Sequence, residues 1–251
     1  MPASSGSGVA SPVVVSGATG ALGSAIVGRL VRADVPIIAI ARSRGALDGL
    51  SARFPGIQTI ACDLNRDTPA IDESSISGVV HAAGAAFGGG VLDVEPDALL
   101  EGINLKVNGL LRLIRSVDKG LVEGSRIIAL GGNLGLDPVA GAAVPGVANA
   151  ALANLIRQLS RAYAPRQVTA HLISPGPVDT ERLRLRAADE ARFSGSSPEE
   201  IYAGYAASSP LGRLTTPAEV AWAVQLLFEP EAVALAGSTL FLDSGLRTSI
   251  P

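Results

Sequence analysis

The sequence predicts an α/β chain built on one doubly wound, parallel, seven-stranded sheet, and three observations carry that reading. Short apolar runs of strand length alternate with longer segments of helical period. The runs are apolar on both faces, as strands sandwiched between two helix layers must be. The 251 residues, 47% hydrophobic and 17% charged with 29 glycines, describe a single domain able to bury one large core. The same balance excludes disorder, collagen and coiled coil. A net charge of −3 with scattered arginines offers no basic stripe to a phosphate backbone, so nucleic acid is not an expected partner.

In chain order the expected strands are Pro12 to Val15, Pro36 to Ala41, Ile57 to Ala61, Ile76 to His81, Arg126 to Leu130, Val168 to Ile173 and Ser238 to Leu242. Residues 1–11 are small, polar and Gly-rich and are expected to form a loose N-terminal arm, with residues 12–251 as the one domain. Residues 180–210 differ from their surroundings. They concentrate charge (Glu181, Arg182, Arg184, Arg186, Asp189, Glu190, Arg192, Glu199, Glu200) and carry Tyr202 and Tyr205 between two core segments. That length fits a helical lid over a site, or else a solvated helical insertion.

Cys62 is the only cysteine, so no intrachain disulfide, redox pair or Cys-rich zinc site can form, and no metal is expected. The first charged residue is Arg29, but Ser16-Gly17-Ala18-Thr19-Gly20 interrupts the apolar core that a signal peptide needs. The uncharged stretches 74–92 and 138–156 are too rich in Gly, Pro, Ser and Asn for a lipid-facing helix. A cytoplasmic protein without a membrane partner is expected.

Val13 to Gly23 reads as strand, Gly-rich turn and helix. The glycines permit the turn and let a pyrophosphate approach backbone N–H groups at the positive end of the helix. At the head of an alternating α/β chain this reads as the nucleotide turn of a Rossmann-type domain, the alternative being a merely tight turn. The second strand ends Ile40-Ala41-Arg42-Ser43-Arg44, where an NAD site would place a carboxylate for the ribose hydroxyls. Ala41 stands there, and Arg42 next to it is suited to a 2′-phosphate, which favours NADP(H) and leaves NAD(H) possible. The alternative is that Arg42 and Arg44 are solvated residues opening a helix.

Here the chain resembles the short-chain dehydrogenase/reductase (SDR) family, from about residue 12 to residue 246. Asp63-Leu64 resembles the acidic position beside the adenine, and His81-Ala82-Ala83-Gly84 resembles the Asn-Asn-Ala-Gly loop. Asn104 falls in the helix where the family keeps a structural and catalytic Asn. Ser174-Pro175-Gly176-Pro177-Val178-Asp179-Thr180 resembles the turn that closes on the nicotinamide, and Pro210 to Arg213 and Leu242 to Gly245 match the C-terminal helix and last strand. The resemblance implies cofactor contacts at Gly17, Thr19, Gly20, Leu22, Gly23, Arg42, Asp63, Leu64, Ala83, Gly84, Pro175, Gly176, Val178 and Thr180. It also implies a homodimer or homotetramer, or a hetero-oligomer with an active SDR subunit.

Three departures stand against the family pattern. The glycine spacing is that of extended and epimerase-like relatives, and His81 replaces the first Asn of its loop. The third removes the proton chemistry: the family uses a Tyr, a Lys four residues later and a Ser. The only lysines are Lys106 and Lys119, and Tyr163, Tyr202 and Tyr205 follow both, so no Tyr-x-x-x-Lys exists. Setting Ala150-Ala151-Leu152 against the family helix puts Pro145 at the Tyr, Asn149 at the Lys and Gly132 at the Ser.

Asn104, Asn149, Tyr202 and Tyr205 are the candidate catalytic residues, with Asn133 and Asp137 nearby. His81 and His171 read as core groups and Tyr163 as a surface anchor. The expected pocket wall is apolar: Phe87, Leu134, Leu136, Val139 and residues 141–147. Three functions stay open: an NADP(H)-dependent oxidoreductase on a small hydrophobic carbonyl or alcohol with a relocated or water-mediated donor; an inactive subunit or nucleotide-binding scaffold; and a non-redox isomerase, dehydratase or cyclase.

Overall fold

The computed structural model describes residues 11–84 and 89–248. Seven parallel strands form one sheet in the order β3-β2-β1-β4-β5-β6-β7: β1 Val13–Ser16, β2 Ile37–Ala41, β3 Gln58–Ala61, β4 Ile76–His81, β5 Leu121–Leu130, β6 Thr169–Pro175 and β7 Thr239–Leu242. The order reverses between β1 and β4. Such a reversal opens a crevice beyond the carboxyl ends of the strands, where α/β sheets bind their ligands.

Both faces of the sheet are covered, which is why its strands are apolar throughout. On one face Val13 and Val15 pack with Ile26 and Leu30 of α1 (Ala21–Val31), Leu47 of α2 (Arg44–Arg53), and Val220 and Val224 of α8 (Pro217–Leu226). On the other, Val14, Ile38 and Ile127 pack with Leu110 and Leu113 of α4 (Gly109–Val117) and with Leu152 and Ile156 of α5 (Ala143–Tyr163). Burying each such side chain contributes about 1.5–3 kcal/mol, so the two clusters together oppose the chain entropy of the whole domain.

Helix α4 is not isolated. It continues α3 (Pro96–Ile103) through one wide π-turn, Asn104–Asn108, and such turns collect at functional sites. Strand β5 starts earlier than the expected Arg126. It begins at Leu121, and its register against β4 shifts between Ile76 and Gly78. Arg126 is 5% exposed and has no carboxylate partner among the described residues; its Nε donates to the Leu227 carbonyl (2.9 Å) and its Nη1 to the Gly124 carbonyl (2.6 Å). A guanidinium on a carbonyl just past α8 complements the negative end of that helix.

The segment expected to be lid or insertion forms two helices, α6 (Glu181–Ser194) and α7 (Pro198–Ala207), packed on each other. Thr180 caps α6 and Ser197 heads a capping box on α7. Of the expected N-terminal arm only Ser11 lies among the described residues. No described helix is long and apolar enough to cross a membrane.

Candidate active site

The turn after β1 is held by steric fit. Gly17 has φ +67, and a Cβ there would lie 2.6 Å from the Ala83 nitrogen and 2.7 Å from the Ala82 carbonyl, so only glycine passes under the loop after β4. A Cβ on Gly23 would enter the Gly17 carbonyl oxygen and sit 2.8 Å from its carbon, which seats the first turn of α1 directly on the loop. Gly20, the N-cap residue, is extended and exposed and brings no side-chain cap. The first N–H groups of α1 therefore face the crevice without a side-chain acceptor, the arrangement that binds phosphate. Thr19 and Leu22 flank this turn, both half-buried.

The other expected cofactor residues line up along the same ends of the strands. Ala41 closes β2 buried, and Arg42 follows it exposed. Asp63 accepts from the Asn65 N–H (3.1 Å), and Leu64 is buried. Ala83 and Gly84 follow β4. Pro175 ends β6, Gly176 packs against Asp243, and Val178 and Thr180 lead into α6.

Beyond the turn lies a cavity of about 150 Å³. Lys106, Asn149, Pro145, Val144, Ala148 and Arg182 line it, with Gly84 and Gly131 at its edges. The space is of benzene size. Lys106 comes from the π-turn and is half-buried, and its Nζ donates to the Leu130 carbonyl (2.7 Å). Burial, and then the positive charge of Arg182, pull the Lys106 pKa down to about 8. Arg182, in the first turn of α6, donates from Nη2 to the Gly84 carbonyl (2.9 Å). Asn149 is 7% exposed and its Oδ1 has no partner among the described residues. A Cβ on Gly132 would lie 2.9 Å from Asn149 Nδ2, so the position read as the family's Ser is taken up by the Asn149 amide.

Several sequence candidates stand away from this cavity. Asn104 spends its amide on structure: Nδ2 donates to the Asn65 carbonyl (2.7 Å), and Oδ1 accepts from Asn108 (2.9 Å) and Arg112 (3.3 Å), tying the π-turn to the loop after β3. Tyr202 donates to Asp179 (2.5 Å) under the Arg184 guanidinium. Tyr205 lies edge-on to Tyr202, and burial followed by the Glu190 carboxylate pushes its pKa up to about 12. Both phenols thus serve the packing of α7 on α6, and neither lines the cavity.

The histidines and Tyr163 are structural in their contacts. His81 is fully buried, with Nδ1 2.8 Å from Ser16 Oγ and Nε2 3.2 Å from the Leu105 carbonyl. His171 sits between Thr169 and the Leu235 carbonyl, and Tyr163 donates to Asp118. The expected apolar wall is corrected in part. Leu136 and Val139 are exposed, at 41% and 51%, and Leu134, like Asn133 and Asp137, does not line the cavity, while Phe87 lies outside the described residues. Two cations and an amide share the wall with Val144, Pro145 and Ala148.

The sequence matches the family described as enoyl-(acyl carrier protein) reductase over residues 17–247. The chain belongs to the short-chain dehydrogenase/reductase family. It is 28% identical over 249 residues to the 3-oxoacyl-[acyl-carrier-protein] reductase MabA of Mycobacterium avium, covering 95% of this chain and 90% of that one. Among solved structures, a short-chain dehydrogenase family protein of Francisella tularensis superposes with a TM-score of 0.87 at 21% identity, covering 95% of this chain and 99% of that one. A variant of actinorhodin polyketide ketoreductase with NADPH superposes with a TM-score of 0.85 at 21% identity, covering 96% and 100%. The SDR chain is a member of an oxidoreductase family, and its seven-stranded sheet is the architecture of these structures.

Two residues of the cavity escape a reading of the sequence, Lys106 and Arg182. Reading Asn104 as facing the site turns Lys106 away, because residues two positions apart on an α-helix are separated by roughly 200°. The structure has the converse: Asn104 faces the β3 loop and Lys106 the cavity. The usable signal was that Lys106 is one of only two lysines in an SDR chain lacking the family's own. Arg182 is one of many charges on its segment, and nothing in the sequence singles it out.

Proposed function

We propose that this SDR protein reduces a small carbonyl compound, or oxidises the corresponding alcohol, with NADP(H), the proton moving through a group other than a phenol of α5. The observation that carries this reading is that one loop joins the two parts of the site: Gly17 of the Gly-rich turn packs against Ala82 and Ala83, and Gly84, next along, lines a cavity walled by protonatable and hydrogen-bonding groups. The residues present fit a dinucleotide: α1 begins without a side-chain cap, and the buried Asn149 Oδ1 lacks a donor that a ribose hydroxyl would supply. In this reading the cradle holds the diphosphate, Arg42 meets the 2′-phosphate, Asp63 and Leu64 border the adenine, and Pro175, Gly176, Val178 and Thr180 border the nicotinamide. The bound nicotinamide supplies or accepts hydride. Val144, Pro145 and Ala148 form the apolar side of the substrate space. The NADPH bound by actinorhodin ketoreductase and the 3-oxoacyl reductase activity in the name of MabA support the same assignment.

The loss of a side chain at Gly132 and of a phenol at Pro145 favours a second reading, a nucleotide-binding subunit without turnover. Titration with NADPH and with NADH, followed by nicotinamide fluorescence, and then NADPH consumption with a panel of small ketones, aldehydes and 3-oxoacyl thioesters, separates the two. NADPH-selective binding with consumption supports the reductase; binding without consumption supports the second reading; binding of neither overturns both. Arg42→Ala is expected to weaken NADPH by about tenfold or more and to leave NADH nearly unchanged, a charged hydrogen bond contributing roughly 1.5–3 kcal/mol. Equal weakening of both removes Arg42 from the 2′-phosphate.

A further inference from the structure

We propose that Lys106 is the proton donor of a relocated catalytic centre, in which the cation that the SDR family carries on α5 comes instead from the π-turn between α3 and α4. This rests on the reductase reading and names its missing acid. The substrates are small ketones and aldehydes that fit a cavity of about 150 Å³.

Lys106 shares one cavity with Pro145 and Asn149, the residues at the positions of the family's Tyr and Lys. Its Nζ is fixed by the Leu130 carbonyl, two residues before Gly132, the position of the family's Ser. An ammonium has three N–H bonds, and this contact uses one, which leaves two for a substrate oxygen and a second acceptor. No carboxylate lines the cavity among the described residues, so the ammonium is not tied into an ion pair there. The π-turn itself is braced from outside by Asn104 on Asn65 and by the His81 ring on the Leu105 carbonyl, so Lys106 projects from a fixed base.

The electrostatics agree with the task. A general acid works best with a pKa near the operating pH. The charged and titratable groups around Lys106 are Arg182 from α6 and His81 from β4. Arg182 weakens the hold of Lys106 on its proton, and His81, fully buried and held far below its usual pKa, stays neutral and does not compete. The Tyr202 hydroxyl is bonded to Asp179, Tyr205 packs edge-on to Tyr202, and neither lines the cavity.

With a reduced nicotinamide bound to supply hydride, the carbonyl carbon would gain the new C–H bond, the C=O π pair would move to oxygen, and that oxygen would take a proton from Lys106 Nζ. An N–H bond breaks and an O–H bond forms. The products are the alcohol, the oxidised nicotinamide and a neutral Lys106 amine, which solvent reprotonates through the open side of the crevice. In the oxidative direction the neutral amine accepts the hydroxyl proton.

The test compares the wild type with Lys106→Met and Lys106→Arg, reading NADPH affinity, kcat against pH, and the titration of Lys106 in ligand-free protein by competitive acetylation and mass spectrometry. The expected results are a Lys106 midpoint near 8 against about 10.4 for a free lysine, and a reductive kcat that falls as pH rises through that midpoint. For Lys106→Met, kcat is expected to drop about 10²- to 10⁴-fold with NADPH affinity within threefold of wild type. Lys106→Arg keeps the charge but holds its proton in this range, and is expected to lose the limb near 8 and most of the turnover. A Lys106→Met variant with kcat within threefold of wild type, or a Lys106 that titrates as a free lysine, overturns the assignment while leaving the reductase reading intact. Should Lys106→Met fail to fold for want of the Leu130 contact, wild-type turnover in Lys106→Arg overturns it equally. A wild type that binds NADPH and consumes none with any carbonyl overturns the reductase reading, and the donor with it.

Discussion

Lowering the pH from 7 to 5 is expected to destabilise this SDR fold through its two histidines. Both are 0% exposed and both are hydrogen-bonded as neutral rings. Burial, with the charge of Lys106 second, lowers the His81 pKa to about 3. Burial also dominates at His171, opposed by the Leu235 carbonyl and reinforced by Arg126, and brings it to about 4. The unfolded chain protonates both near 6.5, whereas the folded chain resists to 3 or 4. In that window the unfolded state binds more protons, so stability is fully present above 6.5 and falls as pH falls. Each histidine loses about 1.4 kcal/mol per pH unit below 6.5, so pH 5 costs about 2 kcal/mol per ring and about 4 kcal/mol for the pair, as an upper figure. The lowered carboxylates Asp118, Glu200 and Glu219 add nothing until the pH falls below about 4.5, and Lys106 is protonated in both states across this range. Urea unfolding at pH 7, 6 and 5, with the ring protons followed by NMR, measures both sides of the linkage. A stability at pH 5 within about 1 kcal/mol of that at pH 7, or ring midpoints near 6.5, would refute the reasoning.

Two further substitutions probe the cradle and the α6–α7 pair. Gly23→Ala places a methyl into the Gly17 carbonyl, so it is expected to destabilise by about 1–3 kcal/mol and to weaken NADPH strongly; a variant matching wild type in urea and in nicotinamide fluorescence would show that α1 is not seated on the turn as described. Replacing Tyr202 and Tyr205 together with Phe removes the Asp179 bond and is expected to lower stability by about 1 kcal/mol with kcat within twofold. A hundredfold fall in its kcat would return a phenol to the proton transfer.

The sheet was legible because parallel strands buried on both faces leave runs such as Val13-Val14-Val15 and Ile37-Ile38-Ala39-Ile40 that few other structures need. The start of β5 was not, since the run Leu121 to Ser125 ahead of the expected Arg126 holds Glu123 and Gly124 and lacks the continuous apolar pattern of the other strands. The Gly-rich turn was legible for a local reason, three glycines between a strand and a helix. Asn104 was read from the family's pattern, but its direction depends on a partner 39 residues away at Asn65. Lys106 was missed for the same reason, because helical phase cannot be assigned from spacing where one wide turn interrupts it. The polarity of the cavity is also a tertiary property: Arg182 reaches it by bonding to Gly84, 98 residues away.

The contact of Gly17 with Ala82 and Ala83 links two segments that the chain brings together only after 65 residues. The turn after β1 and the loop after β4 behave as a single casting, so neither can be redrawn alone. A library that varies residues 82–84 would also disturb the turn at Gly17, and should randomise residues 17–20 alongside. The α6–α7 pair rests on the same loop through Arg182 on the Gly84 carbonyl, so new specificity grafted onto that pair leaves the loop undisturbed only where Arg182 is kept.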